Sequence, residues 1–447
     1  MHHEINLFCK IMIGTLLVFN SSCFFLDDDS KSDKESEIVS NHNEYVKSNH
    51  VTLVFKDHIW ALGGTVVDDG YNSQQAYNTI YKSNNGLEWV VVKYEAEWGR
   101  RTRHGGVVFN NKMWIMGGMN CKYDVSYAFR DIWSSSDGEN WECEGLAPWA
   151  ERYGHAVIVH NNKIFVIGGQ QTPELYFNDI WSSTNGLDWN LEKSDGLPLS
   201  NGSNTINISN TAAASYAGKI WLVGGQSFIG TNDGNYEGFS ELQYLAEVWS
   251  SPDGITWSNE TNGSDRVSEF ARAEARLTVF QDKLWLSGGT YENDTDYSVY
   301  CMDTSSGYTK PPWIETNYPL NKLFQTNVQS DEISMWADGY LYYQDGRPMS
   351  FLNNGMFGIS QHSFIAYKNQ LLIFWGKCDA TFYYAPDEYG YTSNKRWTGF
   401  FTNMYRSIDG YNWEILNDTL SLHNMSTPVY DWWGVDDGDV YWYKLIP

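Results

Sequence analysis

The sequence predicts an all-β protein assembled from repeated four-stranded sheets, and two alternating hairpin patterns support this prediction. The first, HGGVVFNNKMWIMGG at 104–118, has two β-rich apolar runs around a polar turn, as in an antiparallel hairpin (strands a and b). The second, IWSSSDGENW at 132–141, places Asp-Gly, which tolerates positive φ, between two aromatic-bearing arms (strands c and d). The first recurs at 50–64, 155–169, 211–225 and 275–289, and the second at 80–89, 180–189, 248–257 and 404–413.

The apolar character of the strands indicates how the sheets are stacked. Runs such as KIFVIGG at 163–169 are apolar on successive residues, so both faces of each sheet must be covered. Stacking around a common axis into a β-propeller achieves this, with the Trp residues between neighbouring sheets, or blades. The repeat positions are Gly63, Gly64, Trp89, Gly117, Gly118, Trp133, Trp141, Gly168, Gly169, Trp181, Trp189, Gly224, Gly225, Trp249, Trp257, Gly288, Gly289 and Trp413.

The repeat resembles that of the kelch family. The shared features are the Gly pair that ends strand b, the aromatic residue of strand c, the Trp that opens strand d, and RYGH at 152–155. The resemblance covers about residues 50–414 and implies a kelch-type β-propeller, similar to the central domain of galactose oxidase. It also implies that strand a is innermost, beside a central channel.

Counting the repeats gives seven or eight four-stranded blades. The segments 332–346 and 349–358 fit a further blade, and 362–376 begins another. The segment 431–445 matches strands a and b without a following c–d hairpin, whereas 38–48 matches a c–d hairpin without a preceding a–b hairpin. We therefore expect the two termini to close the ring as one split blade, which would leave no exposed sheet edge.

The N-terminus predicts export from the cytoplasm. Residues 1–23 are predicted to be a signal peptide, because the apolar run at 11–19 is too short to span a bilayer and small residues follow it. Cys23 is a candidate lipidation site, although Asn20 replaces the usual Leu of a lipobox, and simple secretion is the alternative. Residues 24–37 are predicted to be a disordered polar tether, and 38–447 a single propeller, either secreted or a lipoprotein of the outer membrane or cell surface.

Charge and cysteine content narrow the classes of partner. A net charge of −25 disfavours nucleic acid, and it leaves a lipid anchor as the predicted link to a membrane. No Cys/His cluster has zinc spacing, so we predict no metal and no cofactor. An oxidising compartment would allow Cys121 to pair with Cys143, but the sequence leaves their state and that of Cys301 and Cys378 open.

Two sets of residues near the expected channel are candidate ligand contacts. The polar residues that open strand a could bind a ligand or a metal ion, or could satisfy backbone groups at the strand start. They are His50, His104, His155, Glu332, His362 and Asp431. A basic set three residues before strand a could bind an anion, or could pack on Trp and bond to loop carbonyls. It consists of Lys47, Arg101, Arg152 and Arg272.

The predicted function is a binding module for a glycan or a protein. The loops after each Gly pair, at 65–77, 170–177, 226–244 and 377–391, mix aromatic and polar residues, as such surfaces require. The kelch resemblance offers two enzymatic alternatives. A sialic acid mutarotase would use Glu332 beside the basic set, and a copper radical oxidase would need a Tyr-His dipeptide that this sequence lacks. A structural role in an envelope complex is a third possibility, and we expect binding rather than catalysis.

Overall fold

The computed structural model of the chain describes most of the predicted propeller. The described residues are 38–39, 48–67, 74–122, 125–198, 205–230, 240–261, 271–291, 294–295, 299–302, 313–315, 333–337, 340–343, 356–383, 394–401, 404–416, 421–425 and 441–444. All regular secondary structure in these ranges is β-strand. The same ranges contain no helix that could cross a membrane.

The first eleven strands build two blades. They are β1 (Ile38–Val39), β2 (Val51–Phe55), β3 (His58–Val67), β4 (Gln74–Ser83), β5 (Trp89–Lys93), β6 (Gly105–Phe109), β7 (Lys112–Met116), β8 (Met119–Lys122), β9 (Val125–Ala128), β10 (Asp131–Ser135) and β11 (Glu142–Leu146). Blade 1 has the order β1-β5-β4-β3-β2, and blade 2 has the order β11-β10-β7-β6. Strands β8 and β9 form a separate hairpin within the connection between strands b and c of blade 2.

The next twelve strands build blades 3 and 4. They are β12 (Ala156–His160), β13 (Lys163–Ile167), β14 (Ile180–Ser183), β15 (Asn190–Lys193), β16 (Leu197–Pro198), β17 (Thr205–Ile206), β18 (Ala212–Tyr216), β19 (Lys219–Val223), β20 (Gln226–Gly230), β21 (Ser240–Tyr244), β22 (Val248–Ser251) and β23 (Ser258–Asn259). Blade 3 has the order β12-β13-β14-β15, with Ala156 opposite Ile167. Blade 4 has the order β18-β19-β22-β23, and β20–β21 forms its b–c hairpin.

The remaining strands build blades 5 and 6 and an additional sheet. They are β24 (Arg276–Phe280), β25 (Lys283–Ser287), β26 (Thr290–Tyr291), β27 (Asp294–Thr295), β28 (Val299–Met302), β29 (Trp313–Glu315), β30 (Ile333–Ala337), β31 (Tyr340–Tyr343), β32 (Met356–Ser360), β33 (Ser363–Tyr367), β34 (Gln370–Phe374), β35 (Gly376–Tyr383), β36 (Asn394–Phe401), β37 (Tyr405–Ser407), β38 (Glu414–Ile415), β39 (Ser421–Met425) and β40 (Tyr441–Lys444). Blade 5 is β24-β25-β28-β29, and blade 6 is β33-β34-β37-β38. The additional sheet has the order β32-β35-β36-β39-β40.

The innermost strands close into a ring of six blades. Strands β2, β6, β12, β18, β24 and β33 each contact the next, and β33 contacts β2. A circle of backbone hydrogen bonds joins the residues that precede the first position of strand a. Its bonds run from the N–H of Arg103 to Asn49 O, Gly154 to Arg103, Asn210 to Gly154, Glu274 to Asn210, Gln361 to Glu274 and Asn49 to Gln361, with N···O distances of 2.7–3.4 Å.

The β-propeller is confirmed, and the described strands form six blades, whereas the sequence count was seven or eight. The segment 332–346 contributes a separate two-stranded hairpin, β30–β31, and β32, from the segment 349–358, pairs with β35 instead of forming a c–d hairpin. The predicted split blade is also not formed by the described strands, because β1 adds to β5 within blade 1 and β40 pairs with β39. A hairpin pattern in the sequence specifies local pairing, and it does not decide whether that hairpin joins the ring.

The hydrophobic core lies between successive blades, as predicted. One buried cluster joins Trp60 of blade 1 to Trp133 and Trp141 of blade 2, and a second joins Trp114 of blade 2 to Trp181 and Trp189 of blade 3. Aromatic side chains therefore fill the space between neighbouring sheets, where they cover the apolar faces that the sequence pattern required.

Candidate functional site

The circle of six residues that closes the propeller also forms the mouth of its channel. We call these residues the axial ring. They are Asn49, Arg103, Gly154, Asn210, Glu274 and Gln361. All six have φ between +51° and +65°, a left-handed conformation that is rare outside glycine. The cost of this conformation is offset by the inter-blade backbone bonds that it makes possible.

An ion pair crosses the mouth of the channel. Arg103 of blade 2 and Glu274 of blade 5 lie on opposite sides of the axial ring, and the guanidinium Nη2 is 2.9 Å from Glu274 Oε1. The side chain of Gln361 donates a 2.7 Å hydrogen bond to Glu274 Oε2. The carboxylate is therefore held from two sides, while about a quarter of the Arg103 side chain remains exposed.

A second arginine lies in the channel just inside the ring. The aligned position is occupied by small or uncharged residues in the other five blades, namely Val51, Gly105, Ala156, Ala212 and Ser363, whereas blade 5 carries Arg276. Arg276 donates to the carbonyl oxygens of His362 and Ala275. No carboxylate among the described residues lies within ion-pair distance of it. Burial lowers the pKa of Arg276, an effect that nearby Glu274 opposes.

The channel contains a cavity of about 260 Å³, lined by residues of all six blades. Apart from histidines, its charged lining residues are Arg103, Glu274 and Arg276, which together leave one positive charge. A cavity of this size is too small for a folded partner. Because its lining carries one net positive charge, it suits a small polar group with negative charge.

The four predicted histidines line the channel wall, as the register implied, and all are buried. His50 Nε2 lies 2.6 Å from Ser363 Oγ, and His362 Nε2 lies 3.0 Å from Ser287 Oγ. Burial is the main cause that lowers the pKa values of His104, His155 and His362, so these three rings are neutral. Contact between these histidines and a ligand stays a prediction.

Metal binding by the polar residues that open strand a receives no geometric support from the described part of the chain. No three His, Cys, Asp or Glu side chains there are grouped as metal ligands. The imidazoles instead reach across blade boundaries. A Cβ on Gly63 of blade 1 would lie 3.0 Å from His104 Cε1, and one on Gly117 of blade 2 would lie 2.8 Å from His155 Cε1. The first Gly of these two pairs therefore makes room for the next blade's histidine.

The three arginines of the predicted basic set lie inside the blade interfaces. Arg101 forms a two-pronged ion pair with Asp131, at 2.8 Å for each contact, and Arg152 does the same with Asp179, at 2.6 and 2.9 Å. Their guanidinium groups also donate to the carbonyls of Gly117 and Gly168, as that of Arg272 does to Gly288 O. All three side chains are almost fully buried. These contacts are those of a structural role, and the predicted ligand contact has no support in them.

Three predicted site residues, Lys47, Glu332 and Asp431, lie outside the described residues. The cysteines are only partly described. Cys121 is a free thiol and Cys143 is disulfide-bonded, so these two do not pair with each other.

Comparison with known proteins agrees with the architecture. The Kelch motif family model matches residues 151–182, which include RYGH and strands a, b and c of blade 3. The chain is a β-propeller that contains a kelch motif. A propeller with such a motif supports a binding or sugar-related module in general terms. None of the curated proteins matches the chain.

One solved structure with similarity to this propeller is titled "Structure of YjhT". It shares 18% sequence identity, with 60% of this chain and 84% of that chain covered, at a TM-score of 0.49. A likeness this distant says nothing about what the chain binds.

The sequence interpretation missed the charged and amide residues of the channel. Arg103, Glu274 and Gln361 stand one position before the residue that opens strand a, and Arg276 stands one position after it. Arg276 could have been identified from the sequence, because it places a charged residue at the start of the largely apolar strand a of blade 5. The pairing of Arg103 with Glu274 could not, since it depends on which blades face each other across a ring of six.

Proposed function

We propose that this propeller is an extracytoplasmic binding module that binds a carboxylate-bearing glycan at the mouth of its channel. The observation that carries the proposal is Arg276, a cation inside the channel with no carboxylate within ion-pair distance among the described residues. An unpaired charge removed from water is costly, and an anionic ligand would offset that cost.

The two channel arginines differ in what they can offer a ligand. Arg103 is already neutralised by Glu274, whereas the hydrogen-bond partners of Arg276 among the described residues are backbone carbonyls. A planar guanidinium binds a carboxylate through two parallel hydrogen bonds. Arg276 is therefore the proposed anchor for the anion, and Arg103 becomes a second donor if the ligand competes with Glu274 for its guanidinium group.

The location of the proposed module depends on the N-terminus. The apolar run at 11–19, the small residues before Cys23 and the polar stretch at 24–37 support export and a flexible attachment. Release of the mature chain from the cell surface by a lipase, or its presence in the culture medium, would distinguish a Cys23 lipoprotein from a secreted protein.

Substitution of the anchor tests the proposal. Arg276→Met keeps the length of the side chain but removes its charge, so binding of acidic glycans should weaken at least about tenfold by calorimetry. Arg100→Met is the matched control, because Arg100 is half-buried and does not line the channel cavity. Its described contacts are a 4.0 Å ion pair with Glu95 and a cation–π contact with the ring of Tyr77. Each acidic glycan is compared with its carboxyl-reduced form. Equal affinity of the wild type for both forms would refute the proposal.

Glu274 supports a second candidate function, a mutarotase of sugar acids. Its carboxylate lies at the mouth of the channel beside two guanidinium groups, where it could take the proton of an anomeric hydroxyl while another group protonates the ring oxygen. Exchange between anomers, followed by NMR, should then be accelerated by the wild type and not by Glu274→Gln. A rate equal to the uncatalysed one would leave binding as the function.

A further inference from the structure

A cluster of four neutral side chains lies next to the axial ring on blades 3 and 4. It consists of Tyr153, Gln170, Tyr176 and Gln226, and we call it the amide–phenol cluster. Tyr153 directly precedes Gly154 of the ring. Gly154 bonds to Arg103 of the ring, and both residues line the cavity that contains Arg276, the proposed anion site. The positive charge of Arg103 also acts on both phenols.

Gln170 is the centre of this cluster and uses its full hydrogen-bonding capacity. Its amide nitrogen donates to Tyr153 Oη at 3.0 Å and to the carbonyl of Thr172 at 3.3 Å. Its amide oxygen accepts from Ser209 Oγ at 2.8 Å and from the side chain of Gln226 at 3.2 Å. A saturated amide of this kind fixes its neighbours in place and has nothing left for a ligand.

The outer members of the cluster retain capacity. Each phenol oxygen accepts one bond from an amide, Tyr153 from Gln170 and Tyr176 from Gln226 at 2.9 Å. Neither phenol hydrogen is donated to a described group, and the amide oxygen of Gln226 receives no bond from one. Burial raises the pKa values of both phenols, so they remain protonated donors. Two donors and one acceptor are thus held in fixed positions.

The connections between strands b and c differ in how far they pair as strands. On the mouth side, strands b and c continue as paired hairpins in blade 1, blade 2 and blade 4, and with eight paired positions in β35–β36 beside blade 6. The described connection of blade 3 forms only a bridge between Gln170 and Tyr176. Tyr176 also stacks on Phe228 of blade 4, with ring centres 6.2 Å apart and planes inclined by 8°.

We propose that the amide–phenol cluster is a subsite for the hydroxyl groups of the ligand. Hydroxyls can both donate and accept, so a vicinal pair on a sugar ring matches the two phenol donors and the amide acceptor. Resting on the proposed function, this inference narrows the ligand to a sugar acid whose carboxylate meets Arg276 and whose ring lies toward blades 3 and 4.

Four six-membered-ring carboxylates serve as probes that distinguish binding at the subsite from binding at the anion site. Cyclohexanecarboxylate carries the charge without hydroxyls, whereas glucuronate, galacturonate and mannuronate carry both in different configurations. We expect the wild type to bind at least one uronate about tenfold more tightly than cyclohexanecarboxylate. The double variant Tyr153→Phe/Tyr176→Phe should lose most of this preference, about tenfold, while its affinity for cyclohexanecarboxylate stays the same.

The outcomes are distinguishable. Tyr94→Phe, which removes an exposed phenol outside the cluster, should bind every probe as the wild type does. Unchanged uronate affinity in the double variant, or equal wild-type affinity for all four probes, would overturn the subsite and leave the anion site intact. Failure of the wild type to bind any of the four would overturn both. Thermal unfolding of each variant shows whether an affinity change comes from loss of folding.

Discussion

Gly138, in the c–d turn of blade 2, packs directly against the indole of Trp60 in blade 1. Its φ is +88°, and a Cβ at this position would lie 2.3 Å from Cη2 of the indole. The ring cannot easily move aside, because its Nε1 donates a 3.0 Å hydrogen bond to the carbonyl of Phe55. The same relation holds between Gly186 and Trp114 and between Gly410 and Trp285. The turn glycines are therefore part of the blade interface.

Replacement of Gly138 by Ala should destabilise the propeller by about 2–5 kcal/mol, because left-handed strain and the clash with Trp60 both act. Gly99→Ala is the matched control, because Gly99 has φ +71° but nothing within 4 Å of the added Cβ. It should lose only about 1–2 kcal/mol, the cost of the backbone conformation. Urea unfolding of both variants measures the difference, and equal losses would mean that Trp60 yields without cost.

The ion pair between Arg101 and Asp131 should be far more important for stability than those on the surface. Its two contacts of 2.8 Å are buried, and Asp131 also accepts from the indole nitrogen of Trp133. Removal of one partner leaves a buried charge alone, so Arg101→Met should cost about 3–5 kcal/mol. The Lys112–Glu144 pair is more exposed, and Lys112→Met should cost less than about 1 kcal/mol. A similar loss in both variants by chemical denaturation would contradict this ranking.

The carboxylates of the c–d turns should make the protein sensitive to acid. Burial opposes ionisation, but the bonds donated by the backbone and side chain of Asn412 lower the pKa of Asp409 to about 2. Because this is below the ordinary value near 4, the stability contributed by Asp409 is complete above about pH 4 and is lost as the pH falls through 2. Asp137 and Asp253 are shifted in the same direction.

Asp409→Asn should remove this acid dependence without opening the turn. Blades 1 and 3 already carry Asn85 and Asn185 at the same place, and their amide oxygens accept the same backbone bonds. The unfolding free energy of the variant should therefore fall less steeply between pH 4 and pH 2. Asp195→Asn, which removes an exposed carboxylate outside these turns, is the control. Identical pH profiles for Asp409→Asn and the wild type would refute the role of the turn.

The blade architecture was predictable because each hairpin carries its own signal. The Asp-Gly turns, the Gly pairs and the Trp positions specify local pairing and packing between neighbours, and the structure has both. The number of blades was not predictable, because a closed ring depends on inter-blade bonds between axial residues such as Asn49 and Gln361, which are far apart in the sequence. The axial residues share a left-handed backbone but no common residue type, so no motif marks them.

Dependence on distant residues also explains why the sequence left the role of two arginines open. Arg101 and Arg152 could be read from the sequence as ligand donors or as structural groups, and the choice depends on Asp131 and Asp179, which stand 30 and 27 positions later. Those aspartates open strand c or precede it, a position that the sequence interpretation did not examine. An Asp at or just before the start of strand c, following each of these arginines, is a signal that could have identified the pairs.

The channel histidines should stay neutral well below the ordinary pH of imidazole titration. Burial, followed by the positive charge of Arg152, lowers the pKa of His155 to about 3. Its folded pKa lies below the unfolded value near 6.5, so the unfolded chain binds protons first, and stability present above pH 6.5 is lost as the pH falls toward 3. The Cε1–H resonance of His155 should therefore not shift between pH 8 and pH 5, whereas the urea-unfolded chain should titrate near 6.5. A midpoint near 6.5 in the folded protein would instead charge the wall of the channel and weaken the case for Arg276 as the anchor.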